Sequence, residues 1–393
     1  LAVHPASSPS RPSNHRKVHR SMRKRLIPCK IVLLLAYVKK KHYLCKPICK
    51  NKIMRNKYLQ TPVILCVLFL TACHHGRTYF PKDLNPQPIK VVRFDKAVMD
   101  VQRDDVRCTK EHIRALYDQY PEFMPLWVED ILGIPSSDTA YLEQQLPLFL
   151  NDTVYGFKET NALEQEVFAD VSDIEESLSM AFSRILWLFP ELEVPSLYLF
   201  ISGFQTPIYF SDEIIGIGAD MYLGSDYEYY NRVVYEYQKQ TMRPECIPVD
   251  IVSAYLFRNI PYTATKIRLL DQMMYRGKVM YLTSLLFPEL ADYEVMGYSK
   301  EQWDWCLEHE QAIWHLVMDK RDLFKTESLV LTSYLNDGPF TSEVSQDAPG
   351  RLGIWLGWRI VESYMEHNET VTLQELMAEP DAQKILEESY YKP

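Results

Sequence analysis

The sequence predicts a mainly helical α+β fold with a small antiparallel sheet, carried by a single globular domain from about residue 89 to residue 393. Three observations lead there. Apolar residues recur at helical spacing through most of the chain after Thr109. One stretch alone, 196–218, is strongly β-like. Turn residues at Ser202-Gly203 and Ser211-Asp212 cut that stretch into three short runs suited to antiparallel pairing.

In chain order, Lys90 to Phe94 has the β-branched character of a first strand and ends at Arg93-Phe94-Asp95. Thr109 to Trp127 reads as helix broken at Tyr120-Pro121, because proline disfavours helical geometry at the residue before it. Tyr141 to Leu150 reads as a short helix. Ser172-Asp173-Ile174-Glu175 fits the capping-box pattern, serine with glutamate three residues on. Ile174, Leu178, Phe182, Ile185 and Phe189 follow at helical spacing up to Pro190, and this stripe is core.

The β-like runs are Ser196 to Ile201, Pro207 to Phe210 and Ile214 to Gly218, feeding into Asp220-Met221-Tyr222-Leu223-Gly224. From there the chain is tyrosine-rich: Tyr222, Tyr227, Tyr229, Tyr230, Tyr235 and Tyr237. Such phenols suit either a ligand groove or, more commonly, an amphipathic shell around the sheet. Helix resumes over Thr263 to Leu286, with Ile267, Leu270, Met274, Val279 and Leu282 on a stripe, and over Ser299 to Phe324, with Trp303, Cys306, Ile313, Leu316 and Val317. Gly350 to His367 is the last long helix; its Gly353 and Gly357, four apart, let another element approach the backbone closely. Thr370 to Leu376 and Asp381 to Leu386 close the chain.

The amino-terminal part differs in kind. Residues 1–53 hold 14 Lys and Arg and no Asp or Glu, and read as upstream read-through with Met54 as the expected first residue; the rival reading is a basic arm for nucleic acid or anionic lipid. Met54-Arg55-Asn56-Lys57, the apolar run Pro62 to Leu70 and the lipobox-like Leu70-Thr71-Ala72-Cys73 then have the order of a lipoprotein signal peptide, residues 54–72. About nine apolar residues fall well short of the roughly 20 that span a bilayer. Cys73 is therefore the expected first mature residue and the site of lipid attachment, palmitate included. Residues 73–88, polar and proline-rich, are the expected tether.

Without residues 1–72 the chain carries 27 basic against 52 acidic residues, a surface that repels nucleic acid and favours cationic partners. Past Cys73 the cysteines are Cys108, Cys246 and Cys306, too few and too widely spaced for a disulfide framework or a zinc knuckle; buried free thiols are expected.

Enzyme motifs fail one by one. There is no Gly-x-Ser-x-Gly elbow, no phosphate loop and no dinucleotide fingerprint, since Gly216-Ile217-Gly218 lacks the third glycine. His309-Glu310 with His315 is the one near-miss for a zinc helix. Two ligands must sit four apart; six apart puts the rings about 120° from alignment on a regular helix. No metal and no cofactor is expected. Asp337, Asp347 and Asp381 flank the last long helix near Arg351 and Arg359, where caps and ion pairs are commoner than a catalytic pair.

Several segments together resemble the gliding motility lipoprotein GldB family of Bacteroidetes. They are Arg93-Phe94-Asp95, Asp220 to Gly224, Leu269-Leu270-Asp271-Gln272-Met273 with Gly277-Lys278, Asn336-Asp337-Gly338-Pro339-Phe340-Thr341, Pro349-Gly350-Arg351-Leu352-Gly353-Ile354-Trp355-Leu356-Gly357-Trp358, and Tyr391-Lys392-Pro393. The resemblance implies a lipid-anchored envelope protein, facing the periplasm from a membrane and connected with gliding motility and its secretion apparatus. A more distant resemblance is to predicted zinc peptidases with His-Glu-x-x-His after the sheet and an acid before the glycine of a later helix. The matching stretches are Asp250 to Ile260, which has no His, and Tyr275-Arg276-Gly277. That resemblance implies a degenerate zincin-like scaffold without its metal.

The reading is a non-catalytic binding component of an envelope machinery, held to the membrane by Cys73 and partnered by another envelope protein. Its candidate binding surface is Asp220, Tyr222, Tyr227, Tyr230, Asp337, Arg351 and Trp355. The alternative is an envelope hydrolase that uses carboxylates near Asp220 or Asp337 in place of zinc.

Overall fold

The computed structural model describes residues 77–100, 109–135, 138–154 and 156–393. The basic arm, the signal sequence, Cys73 and Cys108 lie outside the described residues.

Four short strands form one mixed sheet in the order β1-β2-β4-β3, with β1 Val91–Arg93, β2 Ser196–Phe200, β3 Ile208–Phe210 and β4 Ile214–Gly218. β1 pairs with β2 and β2 with β4 in parallel, while β3 forms an antiparallel edge on β4. The expected antiparallel sheet is thus antiparallel only at its β3–β4 hairpin. A buried carboxylate joins the ends of the parallel pair. Asp220, just past β4, accepts from the Ser202 backbone N–H (2.7 Å), the Ser202 hydroxyl (3.0 Å) and the Phe204 N–H. It ties the loop after β2 to the turn after β4, while β3 lies at the edge of the sheet.

Both faces of the central strands are covered, so they read as continuous apolar runs. Leu197, Leu199, Ile215 and Ile217 point into the main core. Tyr198, Phe200 and Ile214 point the other way, into a smaller core built by α1 (Phe94–Asp100), α2 (Lys110–Gln119), α3 (Phe123–Leu126) and α4 (Thr139–Leu150). There Phe123 stacks on Tyr198 at 4.4 Å, and the Trp127 indole donates to the Ile201 carbonyl at 2.9 Å.

The sheet is joined to α5 (Phe157–Val167) by charge. Asp95 is fully buried and accepts both Arg93 Nε (2.9 Å) and Nη2 (2.7 Å), with Gln165 Nε2 at 2.8 Å. Beside it, α6 (Ser172–Leu188) starts without the expected capping box. Glu175 instead accepts the Val91 backbone N–H at 2.9 Å and pairs with Lys90, while Asp170 accepts the Ser172 N–H. A partner on the strand competes successfully with the local cap.

The main core is helical: α8 (Ile247–Asn259), α9 (Leu269–Leu286), α11 (Lys300–Asp319) and α13 (Leu352–His367), with the short α7 (Tyr230–Val233), α10 (Asp292–Met296), α12 (Ser328–Leu335), α14 (Leu373–Ala378) and α15 (Ala382–Glu388) around them. The Gly353/Gly357 expectation holds. A Cβ added at Gly357 would lie 2.1 Å from the Met273 carbonyl oxygen of α9, and one at Gly277 would lie 2.3 Å from the carbonyl carbon of Gly357. The stripe assigned to Thr263–Leu286 begins late: Ile267 precedes α9 and is exposed. Helices α1, α5, α8 and α12 were not anticipated. The expected tether is also packed from Arg77 on. Arg77 Nη2 donates to the Val371 carbonyl at 2.6 Å, and the Tyr79 and Tyr281 hydroxyls lie 3.1 Å apart.

Gly357→Ala should lower folding stability by about 2 kcal/mol, because backbone blocks the new methyl and outweighs alanine's better helix propensity. Gly338→Ala, whose Cβ meets only the Phe340 carbonyl at 3.6 Å, should stay within about 0.5 kcal/mol. Urea unfolding of both variants checks this; equal midpoints would refute the close helix crossing.

Candidate functional site

A cleft of about 750 Å³ opens where α8, α9 and the start of α13 meet the 3₁₀ turn after β4. That is the size of a ligand pocket. Its walls are largely apolar, from Val249, Phe257, Met280, Val295 and Ile354 among others. Into these walls are set Asp250, Ser253, Arg276, Asp337 and Arg351.

Asp250 stands on the first turn of α8, where the helix dipole favours an acid. The Tyr222 hydroxyl donates to its Oδ2 at 2.9 Å. Burial pushes the Asp250 carboxyl up to about 6 against the pull of that hydrogen bond and of Arg351, with the Asp337 charge adding to the rise. Burial and the same carboxylate hold the Tyr222 phenol well above its ordinary range. Cys246, one turn earlier, is pushed up to about 11 by burial and by Asp250, so it is a thiol and not a thiolate at neutral pH.

On the opposite wall Arg351 has a left-handed backbone, φ +59°, at the N-cap of α13. Three contacts hold it there: Nε to Asp337 Oδ1 at 2.9 Å, Nη2 to the Met296 carbonyl at 2.6 Å, and its guanidinium over the Tyr298 ring. Strain of this kind persists only when the surroundings over-determine it. Arg276, on α9, donates Nη1 to the Leu335 carbonyl at 3.0 Å, and burial lowers its pKa.

The expected binding surface is divided by the structure. Tyr222, Asp337 and Arg351 line the cleft. Asp220 does not: it is fully buried with its carboxylate spent on β2 and the loop after it. Tyr230 is also buried, donating to the Asp220 carbonyl and accepting from the Leu223 N–H, both at 2.9 Å. The Tyr227 hydroxyl meets Thr160 at 2.7 Å. Trp355 is in the core beside Trp303 and faces no solvent. Asp220, Tyr230 and Trp355 are buried and Tyr227 is half-buried, and none of the four lines the cleft. The cleft residues that the sequence reading left out of the surface are Asp250, Ser253 and Arg276. Their signal was a lone acid in the apolar run Ile247–Val252 and a lone arginine between Met274 and Met280.

The two stretches matched to peptidase metal ligands face this one cleft, through Asp250 and Arg276. They do not fit a zinc ion. A fixed guanidinium stands where an acidic ligand would be, and among the described residues no three of His, Cys, Asp or Glu converge. His309 is exposed on α11, its Nδ1 2.8 Å from the Trp305 carbonyl. Asp381 caps α15, and Arg359 pairs with Glu310 and Glu362, not with an aspartate.

A family model described as gliding motility protein GldB matches residues 80–393. No curated protein and no solved structure matches the chain.

An unfolded aspartate titrates near 3.9. Asp250, raised to about 6, binds its proton more tightly when folded. The stability of the neutral form is therefore complete below about pH 4 and is lost as pH rises through about 6. Asp250→Asn should match the wild type near pH 4 and exceed it by about 1 to 2 kcal/mol above pH 6.5. Urea unfolding across that range checks it; a difference that does not change with pH would sink the assignment.

Proposed function

The chain belongs to the gliding motility protein GldB family, and we propose that it is a lipid-anchored envelope protein that acts by binding. In this reading Cys73 carries the lipid, the domain faces the periplasm, and the cleft between α8, α9 and α13 receives a protein partner from a motility or secretion-related envelope machinery. No helix among the described residues is long and apolar enough to cross a membrane.

The observation that carries the reading is the character of the cleft. It is large and mainly apolar, yet its nucleophile-type groups are not activated. The Cys246 thiol is held protonated, the Tyr222 phenol likewise, and the buried Ser253 hydroxyl makes no hydrogen bond to a base. Acyl transfer needs a nucleophile and a base within hydrogen-bond reach. Binding needs only shape, apolar area and a few fixed polar groups. The acidic exterior favours a partner with a cationic surface.

One observation favours the hydrolase alternative: Asp250, near 6, is poised for proton transfer at neutral pH. In that case Asp250 with Asp337 would do the work assigned above to Asp220, whose carboxylate is sealed in the core.

Crosslinking pull-down from membranes tests the binding reading. Wild-type chain should be membrane-bound with a reproducible envelope partner. Cys73→Ala should lose the membrane, and Ala254→Trp, which fills the cleft, should keep the membrane and lose the partner by tenfold or more. A partner retained by Ala254→Trp at the wild-type level would remove the cleft from the function.

A further inference from the structure

Asn161 and Glu164 lie one turn apart on the same face of α5, and both are fully buried. Asn161 Nδ2 donates to the Leu150 carbonyl at the end of α4 at 3.0 Å, which fixes the amide and turns its Oδ1 the other way. Neither Asn161 Oδ1 nor either Glu164 oxygen meets a donor among the described residues. A buried polar atom left unpaired forfeits its hydration without return, so three together are costly.

The side-chain donors around them are committed elsewhere. Arg93 gives Nε and Nη2 to Asp95, and Nη1 to the Phe168 carbonyl. Gln165 Nε2 goes to Asp95 at 2.8 Å, and the Tyr230 hydroxyl to the Asp220 carbonyl at 2.9 Å. The Thr160 and Tyr227 hydroxyls meet each other at 2.7 Å. The hydrogen that this seam can still supply is one on Glu164 itself.

We propose that Glu164 is protonated in the folded protein and donates to Asn161 Oδ1, forming a proton latch that holds α5 against the sheet and opens in alkaline solution. The position suits a latch, because α5 is a joint. Asn161 bonds α4, Gln165 bonds the Arg93–Asp95 pair beside β1, Thr160 bonds Tyr227, and Phe157 stacks on Phe204 in the loop after β2. The charged and titratable groups that face Glu164 are Asp95 and Arg93, Asp220 in the turn after β4, and the Tyr230 phenol; α4 presents the Leu150 carbonyl. Burial opposes the Glu164 carboxylate most, the Asp95 and Asp220 charges oppose it further, and Arg93 favours it.

An unfolded glutamate titrates near 4.3. The folded group holds its proton more tightly, so the latch is at full strength below about pH 4.3, and above it the closed form loses about tenfold in its equilibrium constant per pH unit until the folded carboxyl ionises. Glu164→Gln keeps a donor in the same place and does not titrate.

The test uses the full chain in detergent micelles, labelled with carboxyl-13C glutamate for NMR and followed in parallel by amide hydrogen exchange. Near neutral pH the wild type should show a protonated glutamate carboxyl signal that Glu164→Gln removes and Asp250→Asn leaves in place. Exchange protection in α5 should be equal in wild type and Glu164→Gln near about pH 4, and the variant's advantage should then grow about tenfold per pH unit. A Glu164 signal at the ionised position near neutral pH overturns the inference; a carboxylate met by a buried water or a bound cation would give that result. A protection ratio that is constant across pH overturns it too. So does failure of Glu164→Gln to fold, since a neutral isostere supplies the same hydrogen.

Discussion

Helices α9 and α13 meet with no side chain between them, and the rest of the fold is placed by that contact. Packed helices ordinarily stand 8–10 Å apart because side chains separate them. Gly277 and Gly357 remove that spacer, so each backbone occupies the space a Cβ of the other would need. The neighbours of the glycines inherit their positions. Arg276 is turned into the cleft. Lys278 is buried on the other side, where its ammonium donates to the Glu379 carbonyl at 2.8 Å and to the Met377 carbonyl at 3.3 Å, closing the end of α14. Burial lowers this lysine to about 8, and the carbonyls it reaches compensate the charge it retains.

Charge inside the molecule is used in two ways. Near the sheet it is consumed. Arg93, Asp95 and Gln165 satisfy one another, Asp220 accepts three hydrogens, and Glu164, fully buried beside these acids, is held well above the usual carboxylate range by burial and by their charges. Both its oxygens are sealed away from donor partners, so burial works against its charged form. In the cleft the polar groups are instead left partly open. Arg276 and one oxygen of Asp250 have capacity that the protein itself does not fill.

The segments that carry the family resemblance are, seen in three dimensions, mostly joints. Arg93-Phe94-Asp95 fastens the first strand to α5. The glycines of the last long helix admit α9. Thr341 closes its loop on the Ala348 and Pro349 carbonyls, and the Tyr391 hydroxyl reaches Glu310 at 2.6 Å, fixing the end of the chain to α11. Two of these segments do double duty, since Asp337 and Arg351 belong both to the joint between α12 and α13 and to the cleft.

By itself the sequence determined the class of fold, the long helices, the break at Tyr120-Pro121 and the close approach at Gly353 and Gly357. Each depends on periodicity, on proline or on glycine, and those signals are local. It also determined the acidic balance, which is a property of composition. Only the tertiary structure decided strand direction, because a parallel pair is set by where the chain crosses over and by Asp220 joining distant ends. The same limit applied to the tyrosines. Tyr222 faces a cleft and Tyr230 a core, eight residues apart in one aromatic stretch, and nothing in their spacing separates them. Asp250 and Arg276 lie on different helices, α8 and α9, and share a cleft only because those helices pack together. Charge pairs and pockets are made by elements far apart in the chain, so their chemistry could be read only once those elements were packed.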